Sequence, residues 1–200
     1  MKKAIFFDFD GVLMNSKSLT IDILKQVSDV DEVEFEKIFH TNVFENEKFM
    51  KIWSENEKKI GELFSSLTNA EHFFDFAKKL LNDLSKNYNL YIISGAPTEN
   101  LISHLNLINS TDKFTKILGS DISKSKVERF NMLIESEDLV CENVLFITDS
   151  LGDINEANEC NLKSIGVTWG VHSSEILQKG NPYKIVDCVD ELERIIYEEL

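Results

Sequence analysis

Two hundred residues suffice for one core domain with room for an inserted subdomain, and 42% hydrophobic content provides a sizeable core. A net charge of -14 argues against general binding to nucleic acid or anionic membrane, both of which demand a basic face, but not against a small anion met by a local cation. No stretch reaches the roughly 20 apolar residues that cross a bilayer. Met1-Lys2-Lys3 runs straight into a strand instead of a signal-peptide apolar region, so a cytoplasmic location is expected.

In chain order, Lys3 to Asp8 reads as a buried apolar strand that delivers Asp8 and Asp10 into the turn at Gly11. Side chains at i and i+2 of a strand share a face, so the two carboxylates point toward one site where a metal and a phosphate fit between them. From Asn15 to about Asn69 the pattern is helical only (TIDILKQV, EVEFEKIFHTNVF, NEKFMKIWSENEKKIGELF). This predicts an all-helical cap over residues 15–69, with the core domain formed by 1–14 and 70–200. Asn15 and Ser16 are expected at the hinge or against substrate.

A helix over Phe73 to Lys86 returns to the core, followed by strands at Leu90 to Ser94, Val144 to Thr148 and Ser164 to Thr168. Alternation of β-branched runs with amphipathic helices predicts an α/β fold, a doubly wound parallel sheet of Rossmann-like type, whose ligands gather at the carboxyl ends of the strands. Cys141, Cys160 and Cys188 lack metal-ligand spacing and read as buried free thiols. His40, His72, His104 and His172 are scattered, with His172, after Trp169-Gly170, the one placed to line a cleft.

Four short segments carry the chemistry. Asp8-Phe9-Asp10-Gly11-Val12 is the first. Ser94-Gly95, after the strand LYIIS, offers a hydroxyl and a backbone N–H beside the helix start near Pro97, an anion site. Lys124 and Lys126 are alternative sources of the cation that lets an anionic nucleophile approach an anionic phosphate, since unit charges about 4 Å apart interact by roughly 4 kcal/mol at an effective dielectric near 20. Phe146-Ile147-Thr148-Asp149-Ser150-Leu151-Gly152-Asp153 is the fourth, where Asp153 also reads as a helix N-cap.

In this order the segments resemble those of the haloacid dehalogenase-like hydrolase superfamily, in its phosphatase branch with a helical cap, similar to phosphoglycolate phosphatases and β-phosphoglucomutase-like proteins. The resemblance covers nearly the whole chain. It implies that Asp8 is a nucleophile forming an aspartyl-phosphate, that Asp10 is the acid and then the base, and that Ser94 and Gly95 bind the phosphoryl group. It implies Lys124, which fits the family spacing better than Lys126, as the catalytic lysine, and Asp8, Asp10, Asp149 and Asp153 around Mg²⁺. Thr148 stands where most relatives have glycine, and Ser125 where many have proline.

The expected activity is Mg²⁺-dependent hydrolysis of a small phosphorylated metabolite by a monomer or weak dimer, without nucleic acid or membrane. The alternatives are a sugar-phosphate mutase with the same segments, a receiver-like signalling module, which fits poorly because it lacks the insert, and a non-catalytic binding relative.

Overall fold

The computed structural model describes residues 3–39 and 46–200; His40 and the end of EVEFEKIFHTNVF lie outside them, as do Met1 and Lys2. The strands are β1 (Ala4–Phe7), β2 (Asn89–Ile93), β3 (Phe114–Leu118), β4 (Val144–Thr148), β5 (Lys163–Val167) and β6 (Lys184–Val186). They form one parallel sheet in the order β3-β2-β1-β4-β5-β6. Phe7 is in register with Ile92 on one side and Ile147 on the other, so β1 ends one residue short of β2 and β4. The connections reverse direction around β1, which puts the crevice for ligands at its carboxyl end.

Residue parity builds a core on each face. Ile5, Phe7, Leu145 and Ile147 enter one apolar cluster, while Ala4, Phe6, Val144 and Phe146 enter the other. In the second cluster Phe6 meets Tyr91 edge-on at 5.3 Å and Phe130 meets Phe146 at 4.9 Å between ring centroids, contacts worth about 0.5–1.5 kcal/mol each beyond burial.

The sequence shows four of these strands. The other two, β3 and β6, lie at the sheet edges, where Thr115, Lys116 and Lys184 are exposed and break the continuous apolar run that marks a strand buried on both faces.

After β1 come helices α1 (Ser16–Val27), α2 (Glu32–Phe39) and α3 (Glu47–Leu67), with α1 packed on α3. The two crossings between this insertion and the sheet are stitched together. The Asn15 N–H donates to the His72 carbonyl at 2.7 Å, the Phe74 N–H donates to the Leu13 carbonyl at 3.1 Å, and Met14 and Phe73 form an antiparallel bridge. That pairing consumes Phe73, so the next helix, α4 (Ala77–Leu84), starts later than the sequence suggests.

The remaining helices are α5 (Thr98–Leu107), α6 (Lys126–Glu137), α7 (Leu151–Glu159), α8 (Ser174–Leu177) and α9 (Val189–Glu199). No helix among the described residues is long and apolar enough to cross a membrane. All three cysteines are free thiols; Cys160 is buried, Cys141 is intermediate, and Cys188, contrary to expectation, is exposed at the start of α9.

Candidate active site

β1 ends at Phe7, one residue before Asp8, so Asp8 and Asp10 stand beyond the ladder rather than within it. The Asp8 N–H still donates to the Ile147 carbonyl at 2.9 Å, which ties the residue to the end of β4. The Phe9 N–H donates to Asp8 Oδ1 at 2.7 Å, and Lys126 Nζ lies 3.2 Å from Asp8 Oδ2. Both oxygens of one buried carboxylate are thereby oriented.

The cation in this contact is Lys126, and Lys124 is exposed. The reason is helix phase. Ser125 is the N-cap of α6, its hydroxyl accepting the Glu128 N–H at 3.3 Å, so Lys126 is the first helical residue. Lys126, Arg129, Phe130 and Leu133 form the buried stripe at i, i+3, i+4 and i+7. The signal was present as Ser125-x-x-Glu128, a capping pattern that sets the helix start, whereas spacing counted back from Phe130 favoured Lys124.

Asp153 is expected as a metal ligand or an N-cap. The structure makes Ser150 the N-cap of α7 and puts Asp153 in its first turn. Asp153 Oδ2 receives Lys126 Nζ at 2.5 Å and the Thr148 hydroxyl at 2.7 Å. Asp153 is therefore placed as the partner of the lysine, and Thr148 supports it.

Asp149 is held by main chain. Its Oδ2 accepts the Val171 N–H at 2.7 Å, and its carbonyl accepts the His172 N–H at 3.3 Å. A Cβ added to Gly11, whose φ is +73°, would lie 1.8 Å from Asp149 Oδ2, and one added to Gly170 would lie 2.3 Å from the same atom. Glycine at both positions is what lets two loops close on this carboxylate. His172 is buried, and its Nδ1 accepts the Leu151 N–H at 3.0 Å, supplying the cap that Ser150 does not give α7.

Ser94 is fully buried just past β2, with its Oγ accepting the Ala96 N–H at 3.2 Å; Gly95 is exposed. Pro97 is the N-cap residue of α5 but offers no side-chain cap. Asp121 takes that role, accepting from the Thr98 N–H at 2.6 Å and its hydroxyl at 2.8 Å.

Carboxylates outnumber cations here, and the titration behaviour follows. Burial raises the Asp8 pKa well above its ordinary value; Lys126 opposes this, while Asp153 and Asp149 add to it. Burial also raises Asp10, against a hydrogen bond from Ser16 and the charge of Lys126. Asp149 is pushed up to about 7, first by burial, with Asp153 and Asp10 adding and the Val171 N–H opposing. For Asp153 burial works upward too, but Lys126 and hydrogen bonds with Asp8, Lys126 and Thr148 outweigh it and hold the group below its ordinary value. Burial alone would lower Lys126, yet Asp153 and Asp8 keep it above its usual range.

An acidic pocket with one direct lysine and hard oxygen donors fits a divalent cation such as Mg²⁺. Asp8 and Asp149 are the buried carboxylates left that could hold it once Asp153 is committed to Lys126. Among the described residues a separate tight group of ligating side chains, Asp187, Cys188 and Glu191, lies on the surface at the start of α9, without the burial that would favour an ion.

A family model for haloacid dehalogenase-like hydrolases matches residues 5–167. A phosphoglycolate phosphatase from Photorhabdus laumondii is 27% identical over 148 residues, which are 70% of this chain and 62% of that protein. The chain thus matches somewhat less than two thirds of that relative's length. Among solved structures, a predicted phosphatase from Clostridium acetobutylicum superposes with a TM-score of 0.78 at 24% identity, covering 99% of each chain. HAD-hydrolase YfnB from Bacillus subtilis, bound to magnesium, superposes with a TM-score of 0.72 at 18% identity, covering 98% of each chain.

Proposed function

Since this chain belongs to the haloacid dehalogenase-like hydrolases, we propose that it is a Mg²⁺-dependent phosphatase that cleaves a small organic phosphate monoester through an aspartyl-phosphate on Asp8. The observation that carries this reading is the contact of Lys126 Nζ with Asp8 Oδ2 at 3.2 Å, at the carboxyl end of the central strand. A carboxylate nucleophile needs positive charge beside it to meet a phosphoryl group, and here that charge is built into the core.

In the first half-reaction an Asp8 oxygen bonds to phosphorus as the bond to the leaving oxygen breaks, and Asp10 gives its proton to that oxygen. The raised pKa of Asp10 suits a group that must arrive protonated. In the second, Asp10 takes a proton from water, the water oxygen bonds to phosphorus, and the Asp8–phosphorus bond breaks, which returns Asp8 as a carboxylate and Asp10 as the protonated acid. Ser94 and Gly95 hold the phosphoryl oxygens, and Lys126, kept in place by Asp153, offsets their charge. Bound Mg²⁺ supplies charge neutralisation at the transferred group. The magnesium in YfnB supports that choice of ion.

The helices of residues 15–69 act as a cap that excludes water and reads the substrate. Trp169 braces the cap's base, its Nε1 donating to the Val12 carbonyl at 3.2 Å and its ring meeting Phe76 edge-on. By likeness to the Photorhabdus protein, phosphoglycolate is the first substrate to try.

The test is phosphate release from a panel of small phosphate esters, phosphoglycolate included, with Mg²⁺ and with EDTA, for the native chain and Asp8→Asn. Release that requires Mg²⁺ and vanishes in a folded Asp8→Asn variant supports the reading. Turnover by that variant removes Asp8 as nucleophile, and turnover in EDTA removes the metal.

A further inference from the structure

Arg129 is 1% exposed, one of the largest side chains buried in the protein. It sits three residues after Lys126 on the same buried stripe of α6. Its guanidinium spreads over main-chain carbonyls: Nη1 donates to Ser94 and, at 3.1 Å, to Leu118, while Nε donates to Ser125 at 3.3 Å. The ends of β2, β3 and the start of α6 are thereby joined by one side chain. Burial pushes the guanidinium pKa down, and the charges of Glu156, Asp8, Asp153 and Asp121 oppose that.

The Ser94 carbonyl belongs to the same planar peptide unit as the Gly95 N–H. In a trans peptide these groups point in opposite directions, and the described residues contain no cis bond. An arginine that pulls the carbonyl into the core therefore turns the Gly95 N–H outward. A Cβ built on Gly95 meets nothing within 4 Å, so the side of this residue where a side chain would stand is open. The Ser94 N–H is also fixed, donating to the Leu118 carbonyl at 3.2 Å that Arg129 shares.

We propose that Arg129 is a positioning residue for a phosphate-sized anion: by gripping the Ser94 and Leu118 carbonyls from beneath, it aims the Gly95 N–H at the ligand. The donation also polarises the Ser94–Gly95 peptide, which strengthens its N–H as a donor to negative charge. Nη1 holds both carbonyls while Nε holds that of Ser125, so the planar guanidinium spans three acceptors from two fixed nitrogens, a spread that the single nitrogen of an ammonium does not match. The inference rests on the anion site of the proposed phosphatase.

The experiment titrates inorganic phosphate, followed by ³¹P NMR in the presence of Mg²⁺, against the native chain, Arg129→Lys and Arg129→Met, beside p-nitrophenyl phosphate kinetics and melting curves. Phosphate affinity and KM should weaken by about tenfold in Arg129→Met, equivalent to about 1.4 kcal/mol, with Arg129→Lys in between. If Arg129→Met does not fold, the affinity of Arg129→Lys carries the test. Folded variants that bind phosphate as the native chain does overturn the proposal, even if their melting temperatures fall. A native chain that binds phosphate without turning over any ester defeats the phosphatase reading and leaves Arg129 to be judged by affinity; one that does not bind phosphate overturns the Arg129 proposal.

Discussion

Thr148 donates its hydroxyl to Asp153 across 2.7 Å, joining the last residue of β4 to the first turn of α7. The accepting oxygen is the one that receives Lys126 Nζ, so the threonine fixes the counterion of the lysine that faces Asp8. A residue that departs from the family's usual glycine is thus part of the support for the site's cation.

Thr148→Val keeps the shape and deletes the hydroxyl, which also accepts the Ser150 N–H at 3.2 Å. Leaving buried partners unsatisfied costs about 1–3 kcal/mol. A melting temperature lower by roughly 3–10 °C is expected in scanning calorimetry, with reduced turnover because Lys126 loses a fixed partner.

Lys126→Ala should lower turnover by about 10²-fold or more, in line with the loss of one preorganised charge at a reacting centre. Lys124→Ala should stay within about twofold of the native rate, since Lys124 is exposed. Steady-state assays of the two variants side by side decide between the lysines.

The raised pKa values give the metal-free protein a definite pH dependence. Asp149 titrates near 3.8 when unfolded and at about 7 when folded, so between those values the folded state holds more protons. Stability from this group is therefore greatest at the acidic end and falls as pH rises through the window, with Asp8 and Asp10 acting in the same direction. Melting temperature in EDTA should drop between about pH 5.5 and 8, by at least about 3 °C if 1 kcal/mol is lost. Mg²⁺ should stabilise more at pH 8 than at pH 5.5, because a proton no longer competes for the carboxylate.

Gly170→Ala drives a Cβ to 2.3 Å from Asp149 and must displace it. The expected result is loss of the Mg²⁺-induced rise in melting temperature and a fall in turnover of about 10²-fold, the scale on which an ångström of misplacement is felt. Gly61→Ala, on an open face of α3, is the control: nothing lies within 4 Å of the new Cβ, and helix propensity should add up to about 1 kcal/mol of stability.

β1, β2, β4 and β5 are visible in the sequence because strands buried on both faces are continuously apolar. The edge strands β3 and β6 escaped because Lys116 and Lys184 face water. The positions of Asp8, Asp10, Ser94, Gly95 and Asp149 at the carboxyl ends of strands are legible, since each follows such a strand within a few residues. Spacing counted back from Phe130 points to Lys124, whereas the capping pair Ser125 and Glu128 sets the start of α6 at Lys126. Arg129 was not legible at all, as a charged residue on an otherwise apolar stripe reads as solvent-facing until its carbonyl partners, distant in sequence, are seen. His172 was placed near the cleft, but its capping of α7 depends on a fold-back of 21 residues that no local pattern announces.

The stitched crossings at Leu13–Asn15 and His72–Phe74 have a further consequence. The chain leaves and rejoins the sheet through a single doorway, closed by its own hydrogen bonds. The helices beyond it can be lengthened, trimmed or exchanged without re-threading any strand, and loop-closure entropy penalises such changes only weakly. On the proposed function, selection could therefore rewrite which ester is admitted while leaving untouched the atoms that would cleave it.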